Sequence, residues 1–115
     1  MNNEVLEKFL NTGIDRETLA CELGGNPIYM KSDTPAIVNG DHIKYLLGMF
    51  QQKQIDFKTL IDWCDVIRFS ELYDYPDDEM EQEVLSSIVD EIQDFEDANC
   101  QISDEDIEKW IKLMV

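Results

Sequence analysis

Apolar residues recur at helical spacing along nearly the whole chain, and this pattern leaves little room for a sheet protein. Met80, Val84, Ile88, Ile92 and Phe95 follow one another at steps of four or three, with Leu85 and Val89 widening the stripe. In a helix such positions stack on one face, whereas a strand would throw alternate residues to opposite sides. Shorter stripes repeat the pattern: Val5, Leu6, Phe9 and Leu10; Leu19 and Leu23; Ile43, Leu46, Leu47 and Phe50; Phe57, Leu60, Ile61, Cys64 and Ile67, with Trp63 beside them; and Ile107, Trp110, Ile111 and Met114. Punctuation fits the same reading. Asp15, Asn39, Asp56 and Ser103 stand where N-caps belong, and Asp106 three residues after Ser103 completes a capping-box-like start. Gly13 and the pair Gly24-Gly25 read as helix stops, and Pro76 separates the fifth stripe from its predecessor. Residues 26–38, "NPIYMKSDTPAIV", are the exception. Residues 28–30 could be a short extended piece, but nothing nearby offers a strand partner. The pattern predicts an all-α fold, a compact bundle of five or six short-to-medium helices with no substantial sheet, formed by residues 1–115 as one domain.

Charge is far less even than hydrophobicity. The formal net charge is −17, and residues 69–108 contain sixteen acids and no Lys or Arg. The rest of the chain holds ten acids and all nine basic residues, a net of −1. A chain this acidic repels nucleic acid and anionic membrane surfaces and suits a cationic partner. The densest part is "SELYDYPDDEMEQE", residues 70–83, where Tyr73 and Tyr75 alternate with acids just before Pro76. A merely solvated face is the bland alternative to a docking surface whose field steers and orients a partner.

Catalytic and metal-binding signatures are missing. The chain contains no Cys-x-x-Cys, no His-Glu-x-x-His and no phosphate-cradling glycine loop. A calcium-loop template started at Asp74 puts Glu79 where Gly is required and Leu85 at the bidentate Glu. His42 is the only histidine and has no nucleophile signature around it. Carboxylate pairs such as Asp77/Glu81 read as solvated acids at an exposed helix start. The expectation is therefore a non-enzyme with no catalytic residues, no cofactor and no metal. Cys21, Cys64 and Cys100 are odd in number and widely spaced, and they read as reduced, mostly buried thiols of a cytoplasmic protein. No apolar run approaches the roughly 20 residues that span a bilayer, and "MNNEVLEKFLNTG" lacks the features of a signal peptide.

Residues 39–115 carry a resemblance. "QIDFKTLIDWCDVIRF" places Ile55, Asp56, Leu60, Trp63 and Cys64 in an I-D-x-x-x-L-x-x-W-C pattern, and "ISDEDIEKWIKLM" places Ile102, Ser103, Glu105, Ile107 and Trp110 in I-S-x-E-x-I-x-x-W. With the acidic segment between them, these resemble the small bacterial immunity proteins that accompany polymorphic toxins, including those of contact-dependent growth inhibition systems. Residues 1–38 match nothing in that pattern. The resemblance implies a cytoplasmic protein that binds one cognate toxin domain, as a 1:1 heterodimer, and neutralises it by occlusion. It also implies that the toxin is a nuclease with a basic cleft. Neither direct nucleic-acid binding nor membrane binding is expected. The toxin-binding residues are then expected to be Glu71, Tyr73, Asp74, Tyr75, Asp77, Asp78 and Glu79, acids for the cleft and aromatic rings for apolar contact. The alternative of a different class is an acidic nucleic-acid mimic that titrates DNA-binding or restriction proteins.

Overall fold

The computed structural model describes residues 3–98 and 101–114. Six helices follow in order: α1 (Asn3–Leu10), α2 (Arg16–Leu23), α3 (Gly40–Gln51), α4 (Phe57–Phe69), α5 (Glu79–Asp97) and α6 (Asp104–Leu113). A single 3-10 turn, Pro27–Tyr29, lies between α2 and α3. Two strands, β1 (Lys31–Ile37) and β2 (Glu71–Asp74), pair in parallel. The all-α expectation is corrected on this point: helix dominates, but a two-stranded sheet is built into the core.

Both strands lack the usual sequence signal. β1, "KSDTPAI", is polar and contains Pro35, which cannot donate to a ladder. Lys31 pairs with Glu71 and Ala36 with Tyr73, so five steps along β1 match two along β2. The intervening residues form a bulge that accommodates the proline. Main-chain bonds extend the pairing at both ends, from Glu71 N–H to Met30 O at 3.0 Å and from Val38 N–H to Asp74 O at 2.8 Å. Leu72 and Tyr73, neighbours on opposite faces of β2, are both buried, so the sheet is covered on both sides.

Helix starts follow the capping residues. Asp15, Asn39, Asp56 and Ser103 accept from the backbone N–H groups of Thr18, His42, Thr59 and Asp106. Asp78 does the same for α5, accepting from Met80 and Glu81. Two boxes are reciprocal. Asp106 closes one at Ser103, and His42 closes the other, its Nδ1 accepting the Asn39 N–H at 3.1 Å. Gly24 adopts a left-handed φ of 81° and stops α2. At the end of α1 the left-handed residue is Thr12, φ 58°, rather than Gly13.

α4 lies at the centre. Leu60, Ile61, Trp63, Cys64, Val66 and Ile67 are all buried, and α4 packs against α5, α2, α3 and β2. The Trp63 indole N–H donates to Leu10 O at 3.3 Å, tying α4 to α1. The Trp110 indole meets Phe95 edge-on at 5.8 Å and donates to Glu91, fastening α6 to α5. Ser70 turns α4 into β2, its hydroxyl donating to Val66 O and accepting the Leu72 N–H. Cys64 is buried, as expected of most of the thiols, and burial pushes its thiol pKa up, while Cys21 is exposed. Cys100 lies outside the described residues.

Cap hydrogen bonds from Thr18, Thr59 and Ser103 hold the carboxyls of Asp15, Asp56 and Asp106 below the ordinary carboxylate range. A carboxyl whose pKa is lower folded than unfolded stabilises fully above the unfolded value of about 4. That contribution is lost as pH falls through the lowered folded values. Urea midpoints are therefore expected to drop on acidification below about pH 4. The Asp15→Asn, Asp56→Asn, Asp106→Asn variant, which still caps but does not titrate, is expected to show a shallower drop.

Candidate protein-docking surface

The sequence-predicted residues lie on strand β2 and on the segment that leads from it into the first turn of α5. Glu71 and Asp74 are the exposed ends of β2, and Asp77, Asp78 and Glu79 are exposed around the first turn of α5. The loop between them is braced locally. Asp74 accepts the Tyr75 N–H at 2.9 Å, and Asp78 accepts from Met80 N at 2.9 Å and Glu81 N at 3.2 Å. A helix N-terminus favours negative charge, so three acids gather there at little local cost.

The two tyrosines differ in placement. Tyr73 is 6% exposed, its hydroxyl donates to Leu6 O at 2.8 Å, and its ring tilts against Phe9 at 6.2 Å. Burial pushes its phenol pKa up. Tyr73 thus belongs to the core, which corrects its assignment as a contact residue. Tyr75 is half-buried; burial, with smaller contributions from Cys64 and Asp90, pushes its phenol up to about 12, while Arg68 acts in the opposite direction.

Two apolar residues at helix ends are exposed, and one of them corrects the sequence reading: Met80 opens the α5 stripe in the sequence but does not join the core. Met80, in the first turn of α5, is 80% exposed, and Leu113, the last residue of α6, is 49% exposed. At the other end of β2, Tyr29 and Phe69 are also exposed, with the Arg68 guanidinium 5.0 Å above the Phe69 ring.

Several of the chain's cations are engaged by acids elsewhere. Arg16 reaches Asp62 at 3.4 Å and Asp65 at 3.7 Å, linking α2 to α4. The Gln93 amide donates to Asp65 at 2.6 Å and accepts from Arg68 at 2.6 Å, and Arg68 also pairs with Asp90 at 3.2 Å. Burial raises the Asp65 carboxyl pKa, opposed by Gln93 and Arg16. Lys58 is drawn to Asp62 at 2.9 Å and to Glu17 at 3.5 Å. Among the described residues, no Lys or Arg forms an ion pair with any of the seven carboxylates within residues 71–83. Their field is left to solvent and to whatever approaches.

Among the described residues no cluster of three or more His, Cys, Asp or Glu side chains is placed to hold a metal ion. None of the described helices is long and apolar enough to cross a membrane. His42, 3.9 Å from Glu7 through Nε2, is engaged by its cap through Nδ1. Comparison of the chain with protein-family models, curated proteins and solved structures returned no match.

Proposed function

We propose that this chain is a cytoplasmic immunity protein, a non-catalytic, one-to-one inhibitor of a toxin domain with a cationic surface. The observation that carries the reading is the exposed run of carboxylates from β2 into α5, to which no cation within the described chain is paired. Self-repulsion makes such a surface costly to keep. A basic partner recovers that cost, because opposite fields accelerate encounter and fix its orientation. A nuclease is the partner class that suits it best. Its cleft is built to receive phosphates, and carboxylates can take their places.

Steering of this kind depends on ionic strength, since the Debye length contracts to about 8 Å near 0.15 M salt. The test is stopped-flow association with a toxin domain that this chain protects cells against, sought in the neighbouring reading frames. The rate is expected to be high at low salt and to fall steeply toward physiological ionic strength. A rate that ignores salt contradicts steering. Binding with similar affinity to a panel of unrelated basic proteins points instead to a nucleic-acid mimic.

A further inference from the structure

A small groove opens where α5 begins. Met80, Val84 and Leu85 of α5, Gly40 of α3, and Leu113 and Met114 at the end of α6 line about 220 Å³, with Glu81 at the margin. Gly40 forms part of the floor: a Cβ there would lie 3.7 Å from the Met114 Cβ and 4.0 Å from the Leu85 Cδ2. Asp41, Asp77, Asp78, Glu79 and Glu81 flank the groove in sequence and are all exposed. Lys44 on α3 and Lys109 and Lys112 on α6 are the Lys or Arg residues on the helices that form it, and Lys109 is drawn to Glu91 at 4.0 Å.

We propose that this groove is the docking site for a basic amphipathic segment of a partner protein. One apolar side chain of the partner seats among Met80, Leu113 and Met114 while its flanking Lys or Arg residues meet the acidic rim. The inference rests on the cationic-partner reading above and names the part of the surface that gives it apolar contact, the role that Tyr73 cannot fill from the core.

Size sets the class of occupant. The groove is smaller than the roughly 300–1,000 Å³ of pockets that hold drug-sized ligands, so it takes a side chain rather than a nucleotide or cofactor. Charge then chooses between the macromolecular occupants. A second copy of this chain would bring a net −17 against −17, acid against acid around the apolar contact. A neutral segment would gain only the apolar area. A basic segment gains both the area and the field. Methionine suits such a contact, since its unbranched, polarisable side chain adapts to the shape it meets.

The test uses the full chain and three short synthetic peptides: Leu and Lys at helical spacing, the same peptide with Ser for Leu, and the same peptide with Glu for Lys. Affinities come from fluorescence anisotropy at low salt, and the site comes from methionine methyl NMR shifts. The Leu/Lys peptide is expected to bind about tenfold or more tighter than the Ser/Lys peptide and to shift Met80 and Met114. The Leu/Glu peptide is expected not to bind. The variant Met80→Gln, Leu113→Gln, whose thermal midpoint should stay close to the parent's because Met80 is largely and Leu113 about half exposed, is expected to abolish the Leu-over-Ser preference.

Equal affinity of the two Lys peptides, or a preference that survives in the variant, overturns the groove while leaving the cationic-partner reading intact. Failure of both Lys peptides to bind overturns both readings. Sedimentation showing a dimer that the variant dissolves assigns the groove to a second copy and overturns the proposal.

Discussion

Replacing Tyr73 with Ala is expected to destabilise the protein by about 3–5 kcal/mol. The ring is buried against Phe9, and the hydroxyl is a bolt between β2 and α1 through Leu6 O. Removing it opens a cavity beside a strand only four residues long. A loss of that size is a large share of the roughly 5–15 kcal/mol that holds a typical domain together. Tyr73→Phe keeps the packing and loses only the hydrogen bond, so about 1 kcal/mol is expected. Urea denaturation of the two variants separates these contributions. A Tyr73→Ala variant as stable as the parent contradicts the placement of this ring in the core.

The second large effect concerns binding. Asp74→Asn, Asp77→Asn and Asp78→Asn together are expected to weaken partner binding by several kcal/mol, on the order of what desolvated charge pairs carry at tight interfaces. Stability should change little. Asp74 and Asp78 accept backbone N–H groups, and an Asn carboxamide oxygen accepts the same bonds. The charge-matched control is Asp94→Asn, Glu96→Gln, Asp97→Asn, at exposed positions near the far end of α5. Asp90 is unsuitable as a control because it pairs with Arg68. The control is expected mainly to slow association, since distant charges contribute to the field more than to the contact. Calorimetry that gives both triple variants the parental dissociation constant reduces the acidic run to a solvated turn.

The parts of this fold that were legible in the sequence are those set by neighbours in the chain. Asp15, Asn39, Asp56 and Ser103 each cap the helix expected of them, because a cap is an interaction across two or three residues. Most of the apolar stripes became buried faces for the same reason, Met80 at the start of α5 excepted. The sheet was illegible because its evidence is distributed. Lys31 and Glu71 pair across two helices, and neither strand alternates in polarity. Tyr73 was misread on the same account. As a turn residue among acids it looks like a contact, whereas on a two-sided strand it points into the core. Its strand propensity, in a four-residue run between α4 and Pro76, was the available signal. The excess of acid over base in residues 69–108 was legible because charge is a property of composition. The apolar component was not, because Met80 and Leu113, far apart in the chain, line one groove only in the folded structure.

The most direct measurement is calorimetric titration of this chain into a toxin domain found in a neighbouring reading frame, paired with growth of cells expressing that domain alone or with this chain. The expected result is saturation at one to one, with growth restored by the parental chain and poorly by the Asp74, Asp77, Asp78 triple variant. No heat and no rescue, or rescue that is equally complete with the triple variant, contradicts the claim that the carboxylates between β2 and α5 are where this protein meets its target.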